Sequence, residues 1–257
     1  MPVPPLSRDR ILLLASVMGV AAAAWIYLVI AQHRMAMTGM DPMPGMAMAP
    51  SWDAARIAAT LAMWWVMMLG MMLPTAAPMI LTVATISRRQ RQGGQRFVPA
   101  SVFAAGYLLA WGVFSVAATA LQVSLDRTAL LSPMIQTTSA TVSGAMFLLA
   151  GAYQFTPFKT VCLRQCRSPF AFLLMHWRDG WRGALRMGWQ HGMFCLGCCW
   201  VLMLVLFAVG VMNLLWVALL TGLVLAEKLF PGGLYVARAA GALLLVSGAC
   251  LIAAGAL

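Results

Sequence analysis

Long apolar runs, separated by short polar and basic stretches, organise this chain. They cover 11–31, 54–86, 97–123, 135–155, 184–212, 214–230 and 234–257. A helix needs roughly 20 mostly apolar residues to cross the hydrocarbon core of a bilayer. In lipid, each backbone N–H and C=O must be satisfied within its own segment, so such runs predict helices rather than open sheets. The expected fold class is therefore all-α: a polytopic membrane helical bundle of about seven transmembrane helices, forming a single integral membrane domain over 1–257. The first run is flanked by Arg8 and Arg10, as a signal peptide would be. It is longer than the ~7–15 apolar residues of a signal peptide, and reads as an uncleaved helix. The stretch 170–181 is too short to span. It mixes Phe, Leu, Met and Trp with Arg178 and Asp179, which predicts a short interfacial helix. No convincing internal repeat is present. Gly188 with Gly192, and Ala140 with Gly144, are small-xxx-small pairs that favour close helix packing.

Composition agrees with this pattern. The 257 residues are 63% hydrophobic and 9% charged, whereas a soluble domain carries about 25% charged residues. Lipid is thus the solvent for most of the surface. A net charge of +11 would suggest nucleic acid in a soluble protein, but here the basic residues gather between the apolar runs, and nucleic acid is not an expected partner. With the N-terminus cytoplasmic, the inner loops hold Arg8, Arg10, Arg88, Arg89, Arg91, Arg96, Lys159, Arg164, Arg167, Arg178, Arg182, Arg186 and Lys228. The outer loops hold only Arg34, Arg56 and Arg127. The positive-inside rule then fixes an N-terminus inside and, with seven spans, a C-terminus outside. The expected location is the bacterial inner membrane, with basic cytoplasmic loops at 87–96 and 156–183 and an extracytoplasmic loop at 32–52.

That outer loop contains "HRMAMTGMDPMPGMAMAP". Gly39, Pro42, Pro44 and Gly45 oppose a helix, and few bulky residues are available for a core. Met35, Met37, Met40, Met43, Met46 and Met48 recur every two or three positions, six of the 21 methionines in the chain. Thioether sulfur is a soft, neutral ligand that favours Cu(I) over harder ions. A flexible loop could wrap one ion with several such sulfurs, and His33 could add an imidazole. The competing reading is an apolar loop resting on lipid headgroups.

Two motifs inside the membrane carry the same chemistry. In "MWWVMMLGMMLP", Met63, Met67 and Met71 are four apart and share a helix face, with Met68 and Met72 as a parallel row. Ordinary core packing would look the same. Pro74 and Pro78 free backbone carbonyls and predict a kink. In "QHGMFCLGCCW", His191, Cys195 and Cys198 fall within about 60° of arc on a helix, with Cys199 at the edge of that face and Met187 one turn below. Imidazole and thiolate in a column suit Cu(I), with Zn(II) as the alternative ion. A histidine within a membrane segment is costly, which favours a functional role. The bland alternative is small apolar fillers around a hydrogen-bonded histidine.

Cys162 and Cys166, in "YQFTPFKTVCLRQCRSP", would share a face if helical. Lys159, Arg164 and Arg167 around them predict lowered thiol pKa values, and the pair suits metal docking or redox chemistry. Glu227, the only glutamate, and Lys228 close the sixth run and read as a snorkelling interfacial pair.

Taken in order, "MWWVMMLGMMLP", "YLLAWGVFS", "GAYQFTPFKTVCLRQCRSP", "GCCWVLMLVLFAVGVMN" and "EK" resemble a bacterial family described as predicted metal-binding integral membrane proteins. The resemblance covers most of residues 55–230. One member is encoded beside a bacterial tyrosinase and is described as a membrane copper chaperone. The resemblance implies copper delivery to an extracytoplasmic copper enzyme, and carries over to Gln154, Lys159, Cys162, Cys166, Cys198, Cys199, Asn213 and Glu227. The methionine loop lies outside the resembling words.

The sequence therefore predicts a Cu(I)-binding membrane protein, not an enzyme, that serves an extracytoplasmic copper enzyme or carrier. No G-x4-G-K-[ST] motif is present. Two other classes compete: a thiol oxidoreductase using Cys pairs, and a metal-free assembly subunit of a membrane complex. Oligomeric state is not legible.

Overall fold

The computed structural model describes residues 8–38, 52–92, 98–128 and 139–255. Among them the chain forms nine helices: α1 (Arg8–Thr38), α2 (Ala54–Gln92), α3 (Ala100–Arg127), α4 (Ala140–Gln154), α5 (Pro157–Arg167), α6 (Pro169–His176), α7 (Gly180–Val209), α8 (Leu214–Leu229) and α9 (Gly233–Gly255). No strand occurs among the described residues. The all-α bundle expected from the apolar runs is what forms.

Five helices, α1, α2, α3, α7 and α9, are long and apolar enough to cross a membrane. The other two predicted spans are shorter than their apolar runs: α4 has 15 residues and α8 has 16. At 1.5 Å per residue they reach only about 22–24 Å. Prolines end both. Thr156, extended at ψ 145°, precedes Pro157, and Phe230, extended at ψ 142°, precedes Pro231. A residue before proline avoids the helical region. The predicted start of α4 at Ile135 lies outside the described residues.

The basic segment 156–183, expected to be a loop apart from the interfacial helix, contains a second helix as well, α5. Thr156 caps α5 by accepting from the Lys159 N–H at 3.3 Å, with Pro157 at the first helical position. The interfacial helix expected over 170–181 is α6, which stops at His176. α7 begins at Gly180, where φ is +76°.

Glycines set the closest helix approaches. The backbone of α3 at Phe103 lies directly against Gly188, and Tyr107 and Ala110 lie against Gly192. The small-residue pair of α7 thus packs on α3. Gly144 and Gly151 of α4 meet Gly248 and Gly241 of α9 in the same way. At one end of the bundle, Asp126 accepts from the Trp52 indole at 2.7 Å and lies 3.8 Å from Arg56. Deeper, the Trp64 indole donates to Gln122 Oε1 at 2.7 Å. At the other end, Arg10 of α1 donates to Thr85 of α2 at 2.9 Å.

Candidate metal centre

Helix α7 carries the sharpest sequence motif, and its face points inward. His191, Cys195, Cys198 and Cys199 are all buried, as is Met187 one turn earlier. Helix α5 lies across α7 where Gly197 leaves room. A Cβ at that position would stand 2.8 Å from the Cys162 sulfur. The crossing also brings Cys166 of α5 close enough to Cys195 and Cys198 for the thiols to act on one another electrostatically. The two cysteine motifs, far apart in sequence, therefore form one thiol cluster.

Cys195 is its centre. Its sulfur lies 3.0 Å from the Tyr107 hydroxyl of α3 and accepts from the Lys228 ammonium of α8 at 2.9 Å. Lys228 also donates to Thr75 Oγ1 of α2 at 3.0 Å. Thr75 and Tyr107 both donate to the Met72 carbonyl, at 2.8 and 3.0 Å. These contacts fall beside Pro74, where α2 loses a backbone donor. Five helices thus converge on one thiol.

The thioethers of α2 line the same core. Met63, Met67 and Met71, with Met68 and Met72 beside them, are buried in the apolar cluster that also contains Cys195, Cys198 and Cys199. The Met187 sulfur is occupied, accepting from the Arg178 N–H at 3.3 Å.

His191 sits one turn before Cys195. Its ring packs against Phe103, Tyr107 and Phe172, with centroids 5.9, 5.7 and 5.3 Å away. Its Nδ1 is buried without a hydrogen-bond partner. The thiols of Cys198 and Cys199 turn back to donate to the Cys195 carbonyl at 3.0 and 3.1 Å. With the sulfurs directed this way, no three His, Cys, Asp or Glu side chains among the described residues are placed to hold an ion by themselves.

A second buried polar group flanks the thiols. Lys159 of α5 lies 2.8 Å from Glu227 of α8, and both side chains are 1% exposed. Gln154, ending α4, is buried beside Glu227. The Tyr153 hydroxyl reaches across to the Gly197 carbonyl. The proline corners after α4 and α8 thereby place Gln154, Lys159, Glu227 and Lys228 beside the middle of α7.

Three expectations need correction. Glu227 and Lys228 do not snorkel, because both are buried and each has an internal partner. The basic residues of α5 do not lower its thiol pKa values. Burial pushes the Cys162 thiol up, while the neighbouring Cys195 and Cys198 thiols push Cys166 up, with burial adding to them. Lys159 is taken by Glu227, Arg164 is exposed, and Arg167 donates to the Phe230 and Pro231 carbonyls. Finally, α1 does not stop at Ala31. It runs through His33, Met35 and Met37 to Thr38, with His33 exposed. Met40, Met43, Met46 and Met48 lie outside the described residues.

Residues 61–251 match the family model PpoB2, described as a copper chaperone. The chain belongs to this family. The PpoB2 match begins ahead of the methionine rows of α2 and extends past Lys228, so it takes in the whole thiol cluster and leaves out the 32–52 segment. No curated protein and no solved structure matches the chain. Of the residues carried over from the resemblance, the fold collects Gln154, Lys159 and Glu227 in one polar group and the four cysteines in the thiol cluster. Asn213 stands apart at the start of α8, lining a separate cavity with Ser143 and Cys250. Sequence reasoning missed Tyr107, Thr75 and the role of Lys228. The available signal was Lys228 itself, an ionisable residue closing an apolar run.

Proposed function

We propose that this chain binds Cu(I) in the bacterial inner membrane and hands it to an extracytoplasmic copper enzyme or carrier. The observation that carries this reading is the meeting of Cys162 and Cys166 on α5 with Cys195, Cys198 and Cys199 on α7. Soft thiol and thioether sulfur is the donor set that Cu(I) favours, and the copper-chaperone family points the same way. Cys195 and its neighbouring thiols hold the ion, with His191 one turn away. Met63, Met67 and Met71 form a thioether path along α2 for ligand exchange. His33, Met35, Met37, Met40, Met43, Met46 and Met48 capture or release copper on the outer side, with the N-terminus in the cytoplasm. Transfer follows relative affinity rather than a chemical energy source.

The test is a metal count on the full chain, purified in detergent under argon. About one copper per chain is expected, as one soft-sulfur site implies, with loss in Cys198→Ser and Cys199→Ser. The nearness of Cys166 to Cys195 favours thiol redox as the second reading. Metal-free protein whose thiol pair cycles against a quinone would replace copper handling with that reading. Metal-free protein without such cycling would leave an assembly subunit.

A further inference from the structure

The charge on Lys228 bears on which ion the thiol cluster takes, an inference that rests on the copper reading above. Its ammonium is 2.9 Å from Cys195 Sγ and 3.0 Å from Thr75 Oγ1, and the residue is 7% exposed. Its neighbour Glu227 does not cancel this charge, because that one carboxylate faces two ammonium groups, Lys159 at 2.8 Å and Lys228, which leaves one positive charge in excess. A positive charge therefore faces sulfur in a core built from Met67, Met71, Trp64 and Tyr107. Unbalanced charge in such a setting is expensive.

The arithmetic of ligation follows. Two thiols that take up a metal ion lose their two protons to solvent. Two metal–sulfur bonds replace two S–H bonds, and no electron changes hands. Cu(I) with two thiolates carries one negative charge, which the Lys228 ammonium balances to zero. Zn(II) with the same two thiolates is neutral, so the centre with Lys228 keeps an unbalanced positive charge. Zn(II) also seeks four ligands, whereas among the described residues no three His, Cys, Asp or Glu side chains are placed together as ligands. We infer that Lys228 is the fixed counter-charge of a two-thiolate centre that includes Cys195, and that it makes the centre select soft monovalent ions, Cu(I) and Ag(I), over divalent ones such as Zn(II).

Competition between Cu(I) and Zn(II) for the reduced, detergent-purified full chain tests this. Wild type should load Cu(I) in preference to Zn(II). Lys228→Gln keeps a hydrogen-bonding group without the charge, and should reduce that preference about tenfold or more, the scale of one nearby charge in a poorly screened site. Lys228→Arg should retain it. An unchanged Cu(I)/Zn(II) ratio in Lys228→Gln overturns the inference while leaving copper binding intact. So does a wild type that takes both ions equally, a measurement that needs no variant. Equal loss of all metal in both variants would make Lys228 a structural residue and also overturn it. A wild type that binds neither ion overturns the copper reading itself, and this inference with it.

Discussion

Gly197 and Cys162 meet because one of them has no side chain: a Cβ on Gly197 would stand 2.8 Å from the Cys162 sulfur and 3.4 Å from the Phe158 ring. This contact seats α5 on α7 and so assembles the thiol cluster from two motifs. Gly197→Ala should push α5 outward, cost about 1–3 kcal/mol as overpacking does, and lower copper loading. Gly222→Ala is the control, since nothing lies within 4 Å of its Cβ position. Thermal melts and metal counts on both variants check this. Equal copper loading in the two would show that the crossing does not build the site.

The Lys159–Glu227 pair should behave as a buried ion pair. Lys159→Met leaves the buried Glu227 carboxylate without its ion-pair partner, a loss that typically costs about 3–5 kcal/mol and that Gln154 and Lys228 nearby should soften. The double variant Lys159→Met/Glu227→Gln should recover part of that loss. A double-mutant cycle followed by melting in detergent reads the coupling. Strictly additive losses would mean that the two charges do not stabilise each other.

His191→Phe separates packing from ligation. The ring already lies among Phe103, Tyr107 and Phe172, and its Nδ1 has no hydrogen-bond partner to lose. A phenyl ring should therefore leave the melting temperature unchanged or raise it, while Cu(I) affinity falls. Undiminished affinity would assign the imidazole to the core alone.

The methionine row of α2 can be separated in the same way. Met67→Leu and Met71→Leu conserve volume in a buried cluster, and such exchanges usually cost less than about 1.5 kcal/mol. If the thioethers act as ligands, Ag(I) binding should weaken several-fold in the pair. Binding equal to wild type would leave these sulfurs as packing.

The helices were legible because hydrophobic run length reports directly on lipid, and the inward face of α7 was legible because its polar and thiol residues repeat at helical spacing. The lengths of α4 and α8 were harder to read. The α8 run is close to the lower limit of a span and ends against Pro231, and the α4 run begins ahead of Ser139, the N-cap of α4, so run length alone counts spans longer than the helices that form. The union of Cys162 and Cys166 with Cys195 was also hidden, since it depends on the crossing at Gly197, a tertiary contact without a local signature. The role of Lys228 is hidden for a related reason. Its position at the end of an apolar run looks interfacial, yet it lies in the last turn of α8 on the face whose ammonium meets Cys195 and Thr75.

X-ray absorption at the copper edge, on the full chain loaded with Cu(I) under argon, tests the central claim most directly. The account predicts a first coordination shell of sulfur alone or sulfur with one imidazole nitrogen, altered when Cys195 is changed to Ser. A shell of oxygen and nitrogen only, or a spectrum identical in Cys195→Ser, would contradict it.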